Sequence, residues 1–491
     1  MGIMPDSHTY PPWMVPLPGV KANDFRSLHP EHRGLGMITD LARIAPFRRA
    51  TSVESTAPML WSDLQTRPEG NAHNWIGSAR SAVYEGHYLK GVGRTSLALQ
   101  WNDRSDLLHT SGVLHTSSAL REYFISVFAQ EMGLEHAIVP CVGLLVRPMP
   151  AELRGYERAI VRQLAIAGAA LPSETRVDDC IQAISVKPAS FARMSNITWY
   201  CLHAARRDGE SFLAGFMRHF WRGLGGDPQR AGRVDAGELA ALFYAKVDAG
   251  VENLLVAWEL GLDWGSLGNN FSLDGRFLDL ETPTVFRAPF LGVETDAMEA
   301  RRPTISVRSE RLPGLAAWHY AMQCRIFVRT ILARLREHVG SVYPSNRAAG
   351  AFVAQVTEAF ESGQTRALAF DTSELSRRVR QLVQSRYGMG PGAKDLRLLA
   401  DPRSSSGQPL ELLAVRWSPR AYREEYALSD VYAPAAVRDA LMVPSEPADT
   451  INRVLVDARN IDDVDRLLEH VRDGELRVRS ACREARNPRV R

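Results

Sequence analysis

The pattern of apolar and polar positions predicts a β-rich unit between residues 79 and 186. Apolar and aromatic residues flank Glu85-Gly86 within the segment 79–93, which indicates two short strands joined by a two-residue turn. Apolar residues then recur at helical spacing between Ser118, a plausible N-cap, and Gly133, where a terminating glycine is expected. Two apolar runs, Ala137–Val146 and Cys180–Val186, predict buried strands. The predicted order is therefore hairpin, helix, strand, strand.

From about residue 196 onward the periodicity is mainly helical. The predicted helices are Phe212–Arg222, Glu238–Val247, Val251–Gly261, Leu315–Val339 and Ala348–Gly363. A short β segment, Asn270–Leu280, interrupts them. The pattern therefore predicts an α+β protein with a β-rich first part and a helical second part.

The two ends of the chain show weaker patterns. Residues 1–75 are rich in Pro, His, Arg and Ser, which predicts an irregular arm. The C-terminal extension, residues 401–491, combines prolines, a helical stretch at Ala448–His470 and a basic tail. A solvated, frayed end is expected for that tail, with a binding arm as the alternative. The body between these ends divides into segments 76–190 and 191–400.

Composition places the chain among ordinary folded proteins. It has 491 residues, of which 45% are hydrophobic and 23% charged, and its net charge is +3. So small a net charge does not favour nucleic acid or an anionic membrane as a partner. The five cysteines have no CxxC spacing, and no signal peptide or membrane span is predicted. A reducing cytoplasm is the expected location.

A second hairpin is predicted at Asp274-Gly275, the strongest short hairpin dipeptide in the chain. A two-residue loop pairs residue 273 with 276 and therefore places Asn270 opposite Asp279. Opposed Cβ atoms lie about 4.5–5.5 Å apart, so this amide and this carboxylate are close enough to share a hard cation such as Mg²⁺. The alternative is that the two residues only close the hairpin. A carboxylate at the end of a buried strand, however, is costly without a partner.

Several cations are candidates for binding a polyphosphate. Lys90 ends a predicted strand and Glu122 lies near the start of the next helix, an arrangement like the lysine–glutamate ion pair of kinase folds. Gly77 and Arg80 open the hairpin, where a glycine lets backbone amides approach phosphate. Further cations, Lys187 and Arg193, flank the end of the last strand of this unit. The alternative for each cation is an ordinary pair with a surface carboxylate.

Taken in order, these residues resemble the selenoprotein O family, kinase-fold pseudokinases that act as protein adenylyltransferases. The resemblance covers roughly residues 77–279. Its motifs here are LKGVGRT (Leu89–Thr95), SSALREYF (Ser117–Phe124), PASFARMS (Pro188–Ser195) and WGSLGNNFSLDGRFLDLE (Trp264–Glu281). The resemblance implies a bilobal protein-kinase-like fold with a β-rich N-lobe and a helical C-lobe.

The resemblance also implies roles for individual residues. Lys90, oriented by Glu122, would bind the phosphate chain of ATP, Arg193 and approximately Lys187 would bind the γ-phosphate, and Asn270 with Asp279 would bind Mg²⁺. Gly112 would contact phosphate. Three departures from the family lie near the presumed chemistry: Ser111 replaces an acidic residue before Gly112, Glu281 replaces a glycine, and Asn269 replaces the catalytic-loop aspartate. An amide at position 269 cannot accept a proton at neutral pH.

The function that the resemblance implies is Mg²⁺-dependent transfer of AMP from ATP, bound in a flipped orientation, to a hydroxyl of a protein or a small molecule. Nucleotidyl transfer depends mostly on positioning and electrostatics, so loss of the base does not exclude activity. The alternatives are a catalytically silent ATP-binding pseudokinase that acts as an interaction module, and a phosphotransferase.

Overall fold

The computed structural model describes a mixed α+β protein. The described residues are 11–39, 59–66, 75–77, 80–95, 112–155, 158, 175–204, 211–259, 262–263, 270–281, 284–285, 315–342, 344–367 and 446–486. Within them, one antiparallel sheet is followed along the chain by a mainly helical part, an arrangement compatible with two lobes. The predicted α+β class is therefore confirmed. No helix in the described ranges is long and apolar enough to cross a membrane.

The main sheet contains nine of the described strands. They are β1 Met14–Lys21, β2 Arg26–Ser27, β3 Met37–Thr39, β4 Met59–Thr66, β5 Trp75–Gly77, β6 Ser81–Tyr84, β7 His87–Lys90, β8 Gly143–Pro148 and β9 Ile181–Pro188. Their order is β2-β8-β9-β7-β6-β4-β1-β3, with β5 paired to β4. A separate antiparallel pair joins β10 Leu262–Asp263 to β11 Thr284–Val285.

The described helices complete the fold. They are α1 Thr116–Glu131, α2 Arg176–Cys180, α3 Met194–Trp199, α4 Ser211–Gly223, α5 Ala236–Glu259, α6 Leu315–Val342, α7 Arg347–Ala367, α8 Glu446–Ala458 and α9 Val464–Arg486. Helix α1 packs on β8 and β9, and its apolar residues join one continuous core with the helical part. This packing places α1 beside the centre of the sheet.

The hairpin β6–β7 has the predicted two-residue turn. Its central residues are Glu85, with φ of 46°, and Gly86, with φ of 75°, and positive φ at both positions is what a type I′ turn requires. The turn sets the register so that Ser81 lies opposite Lys90. On its other side β7 pairs with β9, where Lys90 lies opposite Ser185. Lys90 is therefore held in the middle of the sheet.

The expectation of an irregular arm over residues 1–75 is wrong for its described part. Strand β1 pairs with β4 and β4 pairs with β6, so this segment extends the sheet beyond the hairpin. Two prolines at alternate positions, Pro16 and Pro18, weaken the sequence signal for strand β1, because proline within an apolar run argues against a strand. They precede the stretch of β1 that pairs with β3, and proline is tolerated where a strand lacks one neighbour.

Two predicted helices prove to be one. Helix α5 continues through Gly250, where the sequence pattern suggested a break. A glycine inside a helix costs about 1 kcal/mol relative to alanine, but here the missing side chain makes room for a neighbour. A Cβ on Gly250 would overlap the ring of Tyr320 on α6. The close approach of α5 and α6 therefore explains the glycine.

The described part of the C-terminal extension, 446–486, is also more regular than expected. Instead of one helical stretch and a frayed basic tail, α8 and α9 form a helical pair that packs against α1. A Cβ at Gly474 would lie 2.6 Å from Val454 Cγ1 and 2.9 Å from Phe124 Cζ, which shows how closely the three helices meet. Arg479 forms ion pairs with Glu131 on α1 and Glu475 on α9. The last two arginines of the predicted tail, 489 and 491, lie outside the described residues.

Candidate functional site

A cluster of buried charges lies where β7, α1 and the hairpin around residue 274 meet. Lys90 Nζ donates to Glu122 Oε1 and to Asp279 Oδ1, each at 2.7 Å, and to Glu281 Oε1 at 3.1 Å. The predicted pair of Lys90 and Glu122 is therefore confirmed. The ammonium group of Lys90 is thus bound by two other parts of the chain, one 32 residues away and the other 189 to 191 residues away.

Glu122 is the most deeply buried member of the cluster. Its side chain is 0% exposed, and it accepts hydrogen bonds from Lys90, from Lys187 Nζ at 3.0 Å and from Ser185 Oγ at 2.8 Å. Ser185 and Lys187 are two residues apart on β9 and therefore point to the same face of the sheet. A buried carboxylate with three donors is held in one orientation, which makes Glu122 a rigid anchor for Lys90.

The hairpin around Asp274 has a different register from the one predicted. Phe271 lies opposite Phe277, and Leu278 N donates to Asn270 O at 2.9 Å, so Asn270 faces Leu278 and not Asp279. Only Gly275, with φ of 86°, has positive φ, whereas a two-residue type I′ turn needs positive φ at position 274 as well. The loop is therefore one residue longer, and the predicted pairing of Asn270 with Asp279 is wrong.

Neighbouring segments hold this hairpin in place. Phe277 N donates to Ala137 O at 2.9 Å and Val139 N donates to Phe277 O at 2.8 Å. On the other strand, Leu273 N donates to Ala192 O at 2.6 Å. The backbone after the hairpin is thereby directed past β7, which explains how Asp279 and Glu281 reach Lys90.

Glu281 is the functional candidate whose contacts sequence reasoning missed. It was noted only as a departure from a family glycine, yet its Oε1 accepts from Arg80 Nη2 at 2.6 Å as well as from Lys90. Arg80 is thus brought to the site as predicted, but through a carboxylate that no short-range pattern identified. Glu281 follows Asp279 by two residues, and the path of the chain after the hairpin sets its position.

The two remaining predicted cations occupy different places. Lys187 is 2% exposed and donates to Glu122 and to Leu278 O at 2.6 Å, so its arrangement favours a structural link between β9 and the hairpin over contact with a phosphate. Arg193 is the N-cap of α3, and its backbone bridges to Ser272 of the hairpin. Burial alone would lower the pKa of Arg193, but Tyr88, Asp63 and Asp279 raise it. The backbone bridge to Ser272 places Arg193 beside the hairpin that precedes Asp279.

Asp63 is a second group that the sequence did not single out. This buried carboxylate on β4 accepts from Gln65 Nε2 at 2.6 Å and from Asn196 Nδ2 at 3.2 Å. Asn196 Oδ1 in turn accepts from the backbone N of Arg193 at 2.7 Å. The segment that was expected to be an irregular arm therefore contributes to the environment of Arg193, which no local pattern could reveal.

The two predicted glycines, Gly77 and Gly112, have different backbone settings. Gly77 belongs to β5, opposite Leu64 on β4. Gly112 has φ of 74°, and its O accepts from Gly93 N at 3.1 Å, so it packs on the loop that follows Lys90. Their contact with phosphate stays a prediction. Ser111 and Asn269 lie outside the described residues.

From the close packing at Gly112 we predict how a side chain at this position would affect stability. A Cβ at this position would overlap the backbone of Gly93 and Arg94. Gly112→Ala is therefore expected to lower the free energy of unfolding by more than the roughly 1–2 kcal/mol that a left-handed backbone conformation costs a residue with a side chain. Gly133→Ala is the matched control, because Gly133 has φ of 79° but open space around it. Urea denaturation of both variants measures the difference. Equal losses would contradict the predicted clash.

The charges of the cluster stabilise one another. Burial alone would lower the pKa of Lys90, but Asp279, Glu122 and Glu281 raise it above its ordinary value of 10.5. A raised folded-state pKa means that the stabilisation from Lys90 is complete below about pH 10.5 and is lost only at higher pH. Lys90 is therefore fully protonated at neutral pH, as a phosphate-binding lysine must be.

The carboxylates of the cluster have the chemistry of a site for a hard cation. One oxygen from each of Glu122, Asp279 and Glu281 lies within 4.8 Å of the others. Carboxylate oxygens are ligands that Mg²⁺ prefers. The donor type of these residues therefore fits a magnesium ion, and the set includes Glu281, which was not predicted as a metal ligand.

Comparison of the chain with models of protein families and with curated protein sequences finds no match.

Proposed function

We propose that this chain is a nucleotidyltransferase of protein-kinase-like, bilobal architecture that binds Mg²⁺ and ATP and transfers AMP to a hydroxyl group. The observation that carries the proposal is Lys90, which bonds at 2.7 Å both to Glu122 on α1 and to Asp279 after the hairpin. A strand lysine held by a helix glutamate next to a metal-binding aspartate is the arrangement that nucleotide-binding kinase folds use.

The proposed ATP site lies between the sheet and the helical part. Lys90 and Arg80 would bind the phosphate chain, and Arg193 would bind the terminal phosphate. In this arrangement the α-phosphate faces the acceptor, as the resemblance to the selenoprotein O family implies. Magnesium would be held by Asp279 with Glu281 and would neutralise phosphate charge. Contributions from Asn270 and from the backbone of Gly77 and Gly112 remain part of the proposal.

The reaction balances without a protein nucleophile. The hydroxyl oxygen of the acceptor attacks the α-phosphorus, the bond from that phosphorus to the bridging oxygen of the β-phosphate breaks, and pyrophosphate leaves. The hydroxyl proton passes to solvent, because Asn269 is an amide and cannot accept it. Catalysis would then come from positioning and from the cations that stabilise the leaving pyrophosphate.

The transferred group can be identified directly. The protein is incubated with Mg²⁺ and ATP labelled on the α-phosphate and, in parallel, with ATP labelled on the γ-phosphate. We expect label from the α position in the protein or in an added hydroxyl acceptor, together with released pyrophosphate. Transfer of the γ label alone would refute adenylylation and establish a phosphotransferase.

A catalytically silent nucleotide-binding protein is the second candidate. It is favoured by Asn269, and by the carboxylate of Glu281, which bonds to both Lys90 and Arg80. Turnover of Asn269→Asp beside the native chain separates the two candidates. We expect both to release pyrophosphate, the variant faster. Activity in the variant alone would establish the silent function.

The expected setting follows from the cysteines. The five thiols are unpaired with one another, and the chain offers no CxxC motif. We therefore place the reaction in a reducing cytoplasm, with ATP and a hydroxyl-bearing protein or small molecule as partners.

A further inference from the structure

Glu281 binds the same two cations that the proposed function assigns to the phosphate chain. Its Oε1 accepts from Arg80 at 2.6 Å and from Lys90 at 3.1 Å, and all three side chains are largely buried. A carboxylate oxygen and a phosphate oxygen are both anionic acceptors for arginine and lysine. A phosphate that binds Arg80 and Lys90 must therefore replace Glu281 or share the cations with it.

The ion-paired charges of the Lys90 cluster balance one another. The linked cations Lys90, Arg80 and Lys187 carry three positive charges, and the linked carboxylates Glu122, Asp279 and Glu281 carry three negative ones. A polyphosphate without a metal ion would bring uncompensated negative charge to a buried place, which is electrostatically unfavourable. A polyphosphate that carries a divalent cation avoids most of this penalty.

Glu281 differs from the other two carboxylates in its partners. Glu122 is bound by two lysines and a serine deep in the core, so it cannot leave without breaking the link between β9 and α1. Glu281, by contrast, bonds to the two cations expected at the phosphates, Arg80 and Lys90. It is thus the carboxylate that competes directly with a phosphate for those cations.

We infer that Glu281 restricts this site to metal-loaded polyphosphates. Without a divalent cation, the Glu281 carboxylate keeps Arg80 and Lys90. It gives them up to phosphate oxygens only when a cation arrives with the phosphates and balances its charge. This inference rests on the proposed function and names the form of the substrate, a magnesium–nucleotide complex and not the free nucleotide.

The test measures ATP affinity by calorimetric titration of the full chain, once with Mg²⁺ and once with a chelator. For the native protein we expect much weaker binding without Mg²⁺. For Glu281→Gln, which keeps an amide acceptor but removes the charge, binding without Mg²⁺ should be about tenfold tighter than for the native chain. The ratio of the dissociation constant for ATP without Mg²⁺ to that with Mg²⁺ should therefore be lower in Glu281→Gln than in the native chain. Glu135→Gln, at an exposed residue, is the matched control and should leave the ratio unchanged.

Two further variants identify the cause of the change. Arg80→Gln removes the cation that Glu281 and the phosphate are inferred to share, so adding Glu281→Gln to it should give little further gain in metal-free affinity. Glu281→Asp keeps the charge on a shorter side chain and should give an intermediate ratio. It also supplies a readout if thermal denaturation shows that Glu281→Gln does not fold.

The outcomes separate this inference from the proposed function. If the native chain binds ATP with Mg²⁺ but neither Glu281 variant changes the ratio, the inference is overturned and the proposed function stands. If neither the native chain nor any folded variant binds ATP with Mg²⁺, both are overturned. A lower ratio in Glu281→Gln, abolished in the Arg80→Gln background, supports the inference.

Discussion

Lys90→Met is expected to destabilise the fold and to remove ATP binding together. The substitution leaves Glu122, Asp279 and Glu281 buried around an apolar side chain, and removing one partner from a buried ion pair costs about 3–5 kcal/mol. It also removes a charge-assisted contact to phosphate, which corresponds to about 10- to 100-fold in affinity. Urea denaturation measures the first effect and calorimetric titration with Mg²⁺ and ATP measures the second.

Controls distinguish the two effects of Lys90. Lys21→Met, at an exposed residue at the end of β1, should change neither stability nor affinity. Asp279→Ala removes the contact at 2.7 Å to Lys90 and the expected metal ligand, so ATP affinity with Mg²⁺ should fall. Unchanged affinity in both Lys90→Met and Asp279→Ala would show that the nucleotide does not bind here.

Leu467→Ala on α9 is expected to cost about 2–5 kcal/mol of unfolding free energy, the usual range for truncating a fully buried leucine. Leu467 is 0% exposed and belongs to the core that α8 and α9 share with α1. Because α1 carries Glu122, loosening this packing should also weaken the hold on Lys90 and reduce ATP affinity. Thermal denaturation and titration with Mg²⁺ and ATP measure both consequences.

The same helix offers a matched control for this prediction. Leu476 is 68% exposed, so Leu476→Ala removes an identical side chain from α9 without opening a cavity. Its effect on stability should stay within about 0.5 kcal/mol, as for ordinary surface substitutions. Equal losses in the two variants would mean that α9 does not support α1 through its buried face.

Local patterns were sufficient where the determining interactions are local. The type I′ turn at Glu85-Gly86 depends on residues that accept positive φ, so hairpin and register could be predicted, and with them the place of Lys90. Helix α1 was predictable from its apolar spacing and its terminal Gly133. The pairing of Lys90 with Glu122 followed from these two elements together with the resemblance to a known family.

Elsewhere a local signal was ambiguous or misleading. Asp274-Gly275 indicates a two-residue turn, but the loop in the structure is one residue longer and the register shifts by one residue. In this arrangement the hairpin forms backbone hydrogen bonds with residues 137–139 and with Ala192. Gly250 suggests a helix end, but Tyr320 fills the space that a side chain would occupy. In both cases tertiary packing overrides the local preference, which for a glycine inside a helix is worth about 1 kcal/mol.

By itself, the sequence determined the α+β class, the hairpin that carries Lys90, the helix that carries Glu122, and most of the residue types of the candidate site. Only the tertiary structure decided that Glu281 binds Arg80 and Lys90, that Lys187 is an internal link, and that β4 and α9 support the site. These features depend on which distant segments meet. The packing of α1 against α9 arises from burial of a shared core, and burial is non-directional and leaves no spacing in the chain that could be read in advance. The ion pair of Arg80 with Glu281 joins residues 201 positions apart, so no local pattern records it.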